Sequence, residues 1–159
     1  MEVTVHASTP DHLVVTWRNC LTVFFRHETT LAGVIAVQNV YDRYAKEYPS
    51  GLCLLTVVER GAPMPPSDVR LALAKFLESG AGYVKMSAVV HEGAGFSAAA
   101  VRSVVTGLAL LTRLPFPHRV FASVEDAVSW FGSSPQLKVE PARLSHLLHV
   151  ARSQPVPPR

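Results

Sequence analysis

The sequence of 159 residues is poor in charge, in cysteine and in long hydrophobic runs. Charged residues make up 17 % of the chain, and its net charge of +3 is small. Much of this excess is local to the last segment, which contains Arg143, Arg152 and Arg159, while the other basic residues are scattered singly. A nucleic-acid binder concentrates such residues on one face, so we expect no specific nucleic-acid partner. No apolar stretch reaches the roughly 18 residues of a membrane span, and the first residues do not resemble a signal peptide. We therefore expect a cytoplasmic protein without a transmembrane segment.

The sequence also lacks the residue patterns of catalytic, cofactor and metal sites. No nucleophile stands with a paired base and an orienting group, and neither common glycine-rich phosphate motif is present. His146 and His149 lie three residues apart, but a zinc site needs three or four ligands. Cys20 and Cys53 lie in apolar strand-like runs, where buried, reduced thiols are expected and a disulfide or metal pair is the alternative. The sequence thus predicts no enzyme, no cofactor and no metal.

The hydrophobic content of 48 % is high enough for the core of one domain, and its pattern alternates between strands and helices. The run 52–58 is almost unbroken in apolar residues, which predicts a central strand with Leu54 and Leu55 on opposite covered faces. The order of elements is ββαβαβαβα with one extra helix, so we expect an α/β fold with a mixed, mostly parallel sheet of about five strands. The predicted strands are 13–17, 20–25, 52–58, 83–91 and 118–122, and the predicted helices run from Thr29 or Thr30 to about Tyr48, from near Ser67, over 96–114, over 124–131 and from Pro141.

The stretch 119–131, which reads RVFASVEDAVSWF, resembles the last strand and helix of bacterial single-domain STAS-like proteins, relatives of the anti-sigma-factor antagonists with a layout shared by CRAL-TRIO domains. The resemblance covers about residues 1–132. It leaves 133–153 as a C-terminal helix extension and 154–159 as a loose proline-rich tail. It implies a non-enzymatic interaction module with a regulatory or scaffolding role, which binds a protein partner or a second copy. It also implies that Trp130 is buried.

The sequence leaves open one regulatory site and one alternative function. Phospho-regulated relatives carry Asp-Ser-Ser-Gly after the third strand, whereas only Ser67 stands at the corresponding junction here. Ser67 is therefore a candidate phosphorylation site, although its ordinary role would be that of a helix N-cap. The alternative function is a carrier or sensor that holds a lipid or another small apolar or anionic ligand between the sheet and a movable helix.

The glycine-containing loop before the long helix is a candidate anion or ligand site. Gly93, Gly95, Phe96 and Ser97 would expose backbone N–H groups at a helix N-terminus, where phosphates and carboxylates bind. A plain tight turn is the alternative.

The helix 96–114 carries a strip of mainly small residues that is a candidate interface. The strip consists of Ala99, Ser103, Gly107 and Leu110, flanked by Arg102 and Arg113, while Phe96, Ala100, Val101, Val104, Leu108 and Leu111 would face the sheet. It either packs against a neighbouring helix of the same domain or meets a partner or a second copy.

Overall fold

Runs of β-branched residues alternate with amphipathic segments along this chain and form a six-stranded mixed sheet with helices on both faces. A computed structural model describes residues 2–95, 98–103, 106, 113–135 and 140–158. The strands are β1 (Thr4–Ser8), β2 (His12–Trp17), β3 (Cys20–Phe25), β4 (Leu52–Val58), β5 (Val84–His91) and β6 (His118–Phe121). The helices are α1 (Leu31–Glu47), α2 (Ser67–Ser79), α3 (98–103), α4 (Val124–Gly132) and α5 (Pro141–Arg152), with a 3-10 turn at Gly80–Gly82. The predicted α/β class is confirmed.

The strands stand in the sheet in the order of the sequence. β1, β2 and β3 pair antiparallel, and β3, β4, β5 and β6 pair parallel. The sheet therefore has six strands rather than about five, because β1 was not predicted. The first residues of β1 are exposed, so this edge strand lacks the apolar signal by which the other strands were found.

The crossover between two parallel strands is almost always right-handed. Since β3, β4, β5 and β6 follow one another across the sheet in chain order, the helices that connect them lie on one face of the sheet. α1 and α2 pack on that face, whereas α4 and α5 cover the opposite face. Leu54 packs in the core under α1 and α2, and Leu55 packs in the core under α4 and α5. Both are buried. The prediction of a central strand covered on both faces is therefore confirmed.

Side-chain caps begin two of the helices, as the sequence predicted. The Thr30 hydroxyl accepts a hydrogen bond from the Gly33 N–H (3.1 Å), and the Ser123 hydroxyl accepts one from the Asp126 N–H (3.2 Å). Each cap satisfies one of the N–H groups that a helix leaves without a partner in its first turn.

The expectation that Trp130 is buried is wrong. The buried residues of α4 are Val124, Ala127, Val128 and Phe131, which follow the spacing of a single helical stripe. Trp130 lies beside that stripe and is only partly buried, with its ring centroid 5.5 Å from that of Phe121. Phe131 is the aromatic residue that anchors α4 in the core.

Candidate functional site

The first turns of α1, α2 and α3 lie at one edge of the sheet. These helices follow β3, β4 and β5, and parallel strands end at the same edge. Open α/β sheets bind ligands outside the carboxyl ends of their strands. We call the exposed apolar and small residues on the first two turns of these helices, together with Met64 in the loop before α2, the docking face. The docking face consists of Leu31, Ile35, Met64, Leu71, Ala99 and Ser103.

The large side chains of the docking face are all more than a third exposed. Leu31 is 46 % exposed, Ile35 52 %, Met64 39 % and Leu71 56 %. The helical spacing of apolar residues in α1 predicts a stripe that includes Leu31, Val34, Ile35 and Tyr41. Val34 and Tyr41 are buried as this spacing predicts, whereas Leu31 and Ile35 face solvent. Four large apolar side chains thus face solvent at the N-terminal ends of α1 and α2, and exposed apolar residues that form one patch mark an interaction site.

The described part of α3 extends this surface with small side chains. Ala99, Ala100, Ser103 and Thr106 are all exposed. The prediction that Ala100 faces the sheet is therefore wrong, because the exposed side of α3 is broader than the predicted strip. Ala99 and Ser103 lie on the surface rather than between helices of the same domain, while Gly107 and Leu110 lie outside the described residues.

Arg102 has a structural role at the start of α3. Its guanidinium donates hydrogen bonds to the carbonyls of His91 (3.1 Å) and Gly93 (3.3 Å), so it fastens the β5–α3 loop. Gly93 and Gly95 have φ values of +139° and +98°, which favour glycine in this turn. Phe96 and Ser97 lie outside the described residues, so the anion site predicted for this loop stays a prediction. Arg113, the other flanking arginine, is exposed.

Ser67 is exposed, but it does not cap α2. It is the first helical residue, and the capping position belongs to Pro66, which has no side-chain hydrogen bond to give. The expected N-cap role of Ser67 is therefore wrong. Ser67 stands one helical turn before Leu71, so the two side chains are neighbours at the docking face.

A cleft of about 350 Å³ lies at the same edge of the sheet, on the α5 side. Arg152 of α5 donates to both carboxylate oxygens of Glu92 (2.7 and 3.1 Å), approaches Glu59 (3.5 Å) and lies over the Phe24 ring at 5.3 Å. Burial raises the pKa of Glu59, although the charge of Arg152 opposes this shift. Because Arg152 already occupies the space between the two carboxylates, we interpret this cleft as the site of an ion-pair network and not as a cation site.

A second cleft of about 220 Å³ has His118 in its wall. The Nδ1 atom of His118 is 3.0 Å from the hydroxyl of Ser87, which resembles the pairing of a base with a nucleophile. Ser87 is fully buried in the middle of β5, however, so its hydroxyl is closed to a substrate. Burial also lowers the pKa of His118. The pair acts as a buried hydrogen bond within the sheet.

The two cysteines behave as predicted for core residues. Cys20 and Cys53 are register partners on β3 and β4, and both are buried. Burial raises the pKa of Cys20 to about 12 and also raises the pKa of Cys53, so both thiols stay protonated and unreactive at neutral pH. In the described part of the chain, no group of three or more His, Cys, Asp or Glu residues is placed to hold a metal ion.

Comparison with known proteins returned no matching family model, no matching curated protein and no matching solved structure. Among the described helices, none has the length and apolarity to cross a membrane.

Proposed function

We propose that this chain is a non-enzymatic protein-interaction module with a regulatory or scaffolding role, and that its partner binds the docking face. The single observation that carries the proposal is the exposure of Leu31, Ile35, Met64 and Leu71, which lie at or just before the N-terminal ends of α1 and α2 in one helical layer. Complete burial of such a side chain gains about 1.5–3 kcal/mol, so covering the exposed half of each gains about 1 kcal/mol. Four of them supply the apolar centre of a protein interface.

The small residues of α3 fit the same role. Ala99 and Ser103 have no long side chains to order, so a partner's backbone can approach α3 closely at little entropic cost. The sequence resemblance to STAS-like domains, whose members bind proteins, agrees with this proposal. We propose the cytoplasm as the place of action, where two unpaired thiols such as Cys20 and Cys53 are stable.

Ser67 offers a route to regulation of this surface. A phosphate on Ser67 would stand beside Leu71 and place up to about two negative charges at an apolar contact. The phosphate would be tolerated by the isolated domain because it lies in the first turn of α2, but it would weaken partner binding.

The test compares single Glu substitutions at exposed apolar residues of the two helical layers, because a charge at the centre of an apolar contact weakens binding. Ile35→Glu and Leu71→Glu alter the docking face, and Val150→Glu is the matched control because Val150 is 40 % exposed on α5. Proteins captured from cells by the wild type and by V150E should be lost with I35E and L71E. The captured protein, once purified, should bind each docking-face variant at least about tenfold more weakly in calorimetry.

Two results would overturn the proposal. The first is that no captured protein distinguishes the docking-face variants from V150E while all variants melt like the wild type. The second is a small mass retained on the chain in native mass spectrometry after purification, which would identify a carrier instead. Ser103→Glu, with Ser129→Glu on α4 as its control, then tells whether α3 takes part in the contact.

A further inference from the structure

The two edges of the sheet are built differently. β1 contains a register irregularity between Val5 and Ala7, and such bulges protect an edge from further pairing. β6 pairs with β5 over four consecutive residues without an irregularity, and within the described residues it has no neighbour on its other side.

The backbone of β6 has hydrogen-bonding groups that face away from the sheet. The N–H of Ser87 donates to the carbonyl of Pro117 (3.0 Å), which fixes the phase of the β5–β6 ladder. In a parallel pair the backbone groups of alternate residues face the neighbouring strand. Those of Arg119 and Phe121 therefore face β5, whereas those of His118 and Val120 face outward.

The side chains around Val120 complement each other under a twofold rotation. Arg119 and Phe121 flank Val120 on the same face of β6, and the Arg119 guanidinium lies 5.3 Å from the centre of the Phe121 ring and 5.5 Å from that of Trp130. In an antiparallel pair centred on Val120, Arg119 of each copy stands opposite Phe121 of the other. That position is a non-hydrogen-bonded pair, in which cross-strand side chains approach most closely. The cation then lies against an aromatic ring in both copies.

We propose that two copies of this chain associate through β6, in an antiparallel pairing centred on Val120 that joins the two sheets into one. The outward N–H and C=O groups of Val120 in both copies supply the central backbone hydrogen bonds, the outward groups of His118 lie opposite the residue that follows β6 in the other copy, and the Arg119–Phe121 contacts set the register. A contact of so few residues is smaller than a standard interface, so the dimer is weak and forms as the protein concentration rises. This surface borders α3, because Thr106 lines one cleft together with His118 and Val120, but it contains none of the large apolar residues of the docking face.

Sedimentation velocity over a range of concentrations tests the proposal. The wild type should pass from monomer to dimer, and Val120→Pro should abolish the dimer. Proline at this position removes an outward N–H and leaves the β5–β6 ladder intact, as is usual for edge strands. Arg119→Glu should weaken the dimer at least tenfold, whereas Arg143→Glu, which makes the same charge change at an exposed site on α5, should not.

Hydrogen exchange on the unmodified protein keeps the test independent of the variants' stability. The amides of His118 and Val120 should exchange more slowly at high concentration than at low concentration, while the amides of β1 should not change. A wild type that stays monomeric at every concentration, or exchange at Val120 that does not depend on concentration, would overturn the proposal.

Discussion

α2 and α4, which lie on opposite faces of the sheet, differ in how completely they bury their apolar side chains. On one face of the sheet, four of the nine residues of α4 are buried, and α5 adds Leu144 and Leu148 to the same core. On the other face, α2 buries only Val69 and Phe76 among its 13 residues, while Leu71 is more than half exposed. α1, in contrast, buries six of its 17 residues, so the α1–α3 layer also covers a core. What distinguishes this layer from the α4–α5 layer is the exposed outer side of α2.

The largest effect is expected in the α4–α5 layer. Phe131→Ala should lower the free energy of unfolding by about 3–5 kcal/mol, because it empties the position of a fully buried aromatic side chain. Trp130→Ala, one residue earlier, should cost clearly less because Trp130 is only partly buried. Urea denaturation of the two variants measures both losses. Equal losses would contradict the assignment of Phe131 as the anchor.

A smaller effect is expected from the ion pairs that fasten α5. Arg152→Gln should cost about 1–2 kcal/mol, since it removes charge-assisted hydrogen bonds whose partners are three-quarters buried and still partly screened by water. The variant also leaves Glu59 and Glu92 close together without a cation. Arg143→Gln is the control, because Arg143 is exposed on the same helix. A loss as small as that of the control in urea denaturation would show that the network adds little to stability.

The fold was more accessible from the sequence than the site, for physical reasons that particular residues illustrate. β4 could be predicted because a strand covered on both faces is apolar at nearly every position, as in residues 52–58, where Thr56 is the one polar residue. β1 could not, because an edge strand exposed along much of its length carries no such pattern. The error at Trp130 came from a motif, whereas the spacing of the buried residues of α4 would have favoured Phe131.

The candidate site depended on information that the sequence does not carry. Leu31 and Ile35 have the spacing of core residues, and only their place on α1 relative to α2 and the sheet leaves them exposed. In the sequence, Arg152 is only one of several basic residues near the C-terminal end. Its ion-pair partners could not be predicted, because Glu59 and Glu92 are at least 60 residues away in the chain. In contrast, the exposure of Ala99 and Ser103 agrees with the predicted interface strip.

Acidification should affect the two faces differently. Burial lowers the pKa of four histidines, which are His6, His12, His91 and His118. Each of them lies close to a residue on the α1–α3 side of the sheet. A histidine whose folded pKa is below its ordinary value of 6.5 stabilises the fold above that pH, and the stabilisation is lost as the pH falls through the folded pKa. On the other face, the raised pKa of Glu59 acts in the opposite sense and at lower pH.

The free energy of unfolding, measured by urea denaturation about one pH unit above and below 6.5, should therefore be lower at the acidic pH. His118→Gln should reduce this difference, because an amide can keep the hydrogen bond to Ser87 but does not titrate in this range. An unchanged difference in the variant would assign the pH dependence to the other three histidines.

The smallest effect is expected at the docking face, and it is the one that separates a surface from a core most sharply. Leu71→Gln should change the free energy of unfolding by no more than about 0.5 kcal/mol, because more than half of the leucine is already in water and glutamine is a comparable helix former. Leu148→Gln on α5 is the matched comparison, since Leu148 is almost fully buried and its replacement would place an amide in the core without a hydrogen-bond partner. Urea denaturation should therefore find a near-neutral change in one helical layer and a loss of several kcal/mol in the other. A loss above about 1 kcal/mol for Leu71→Gln would mean that the leucine packs within the domain, and the contrast between the two layers would then not hold.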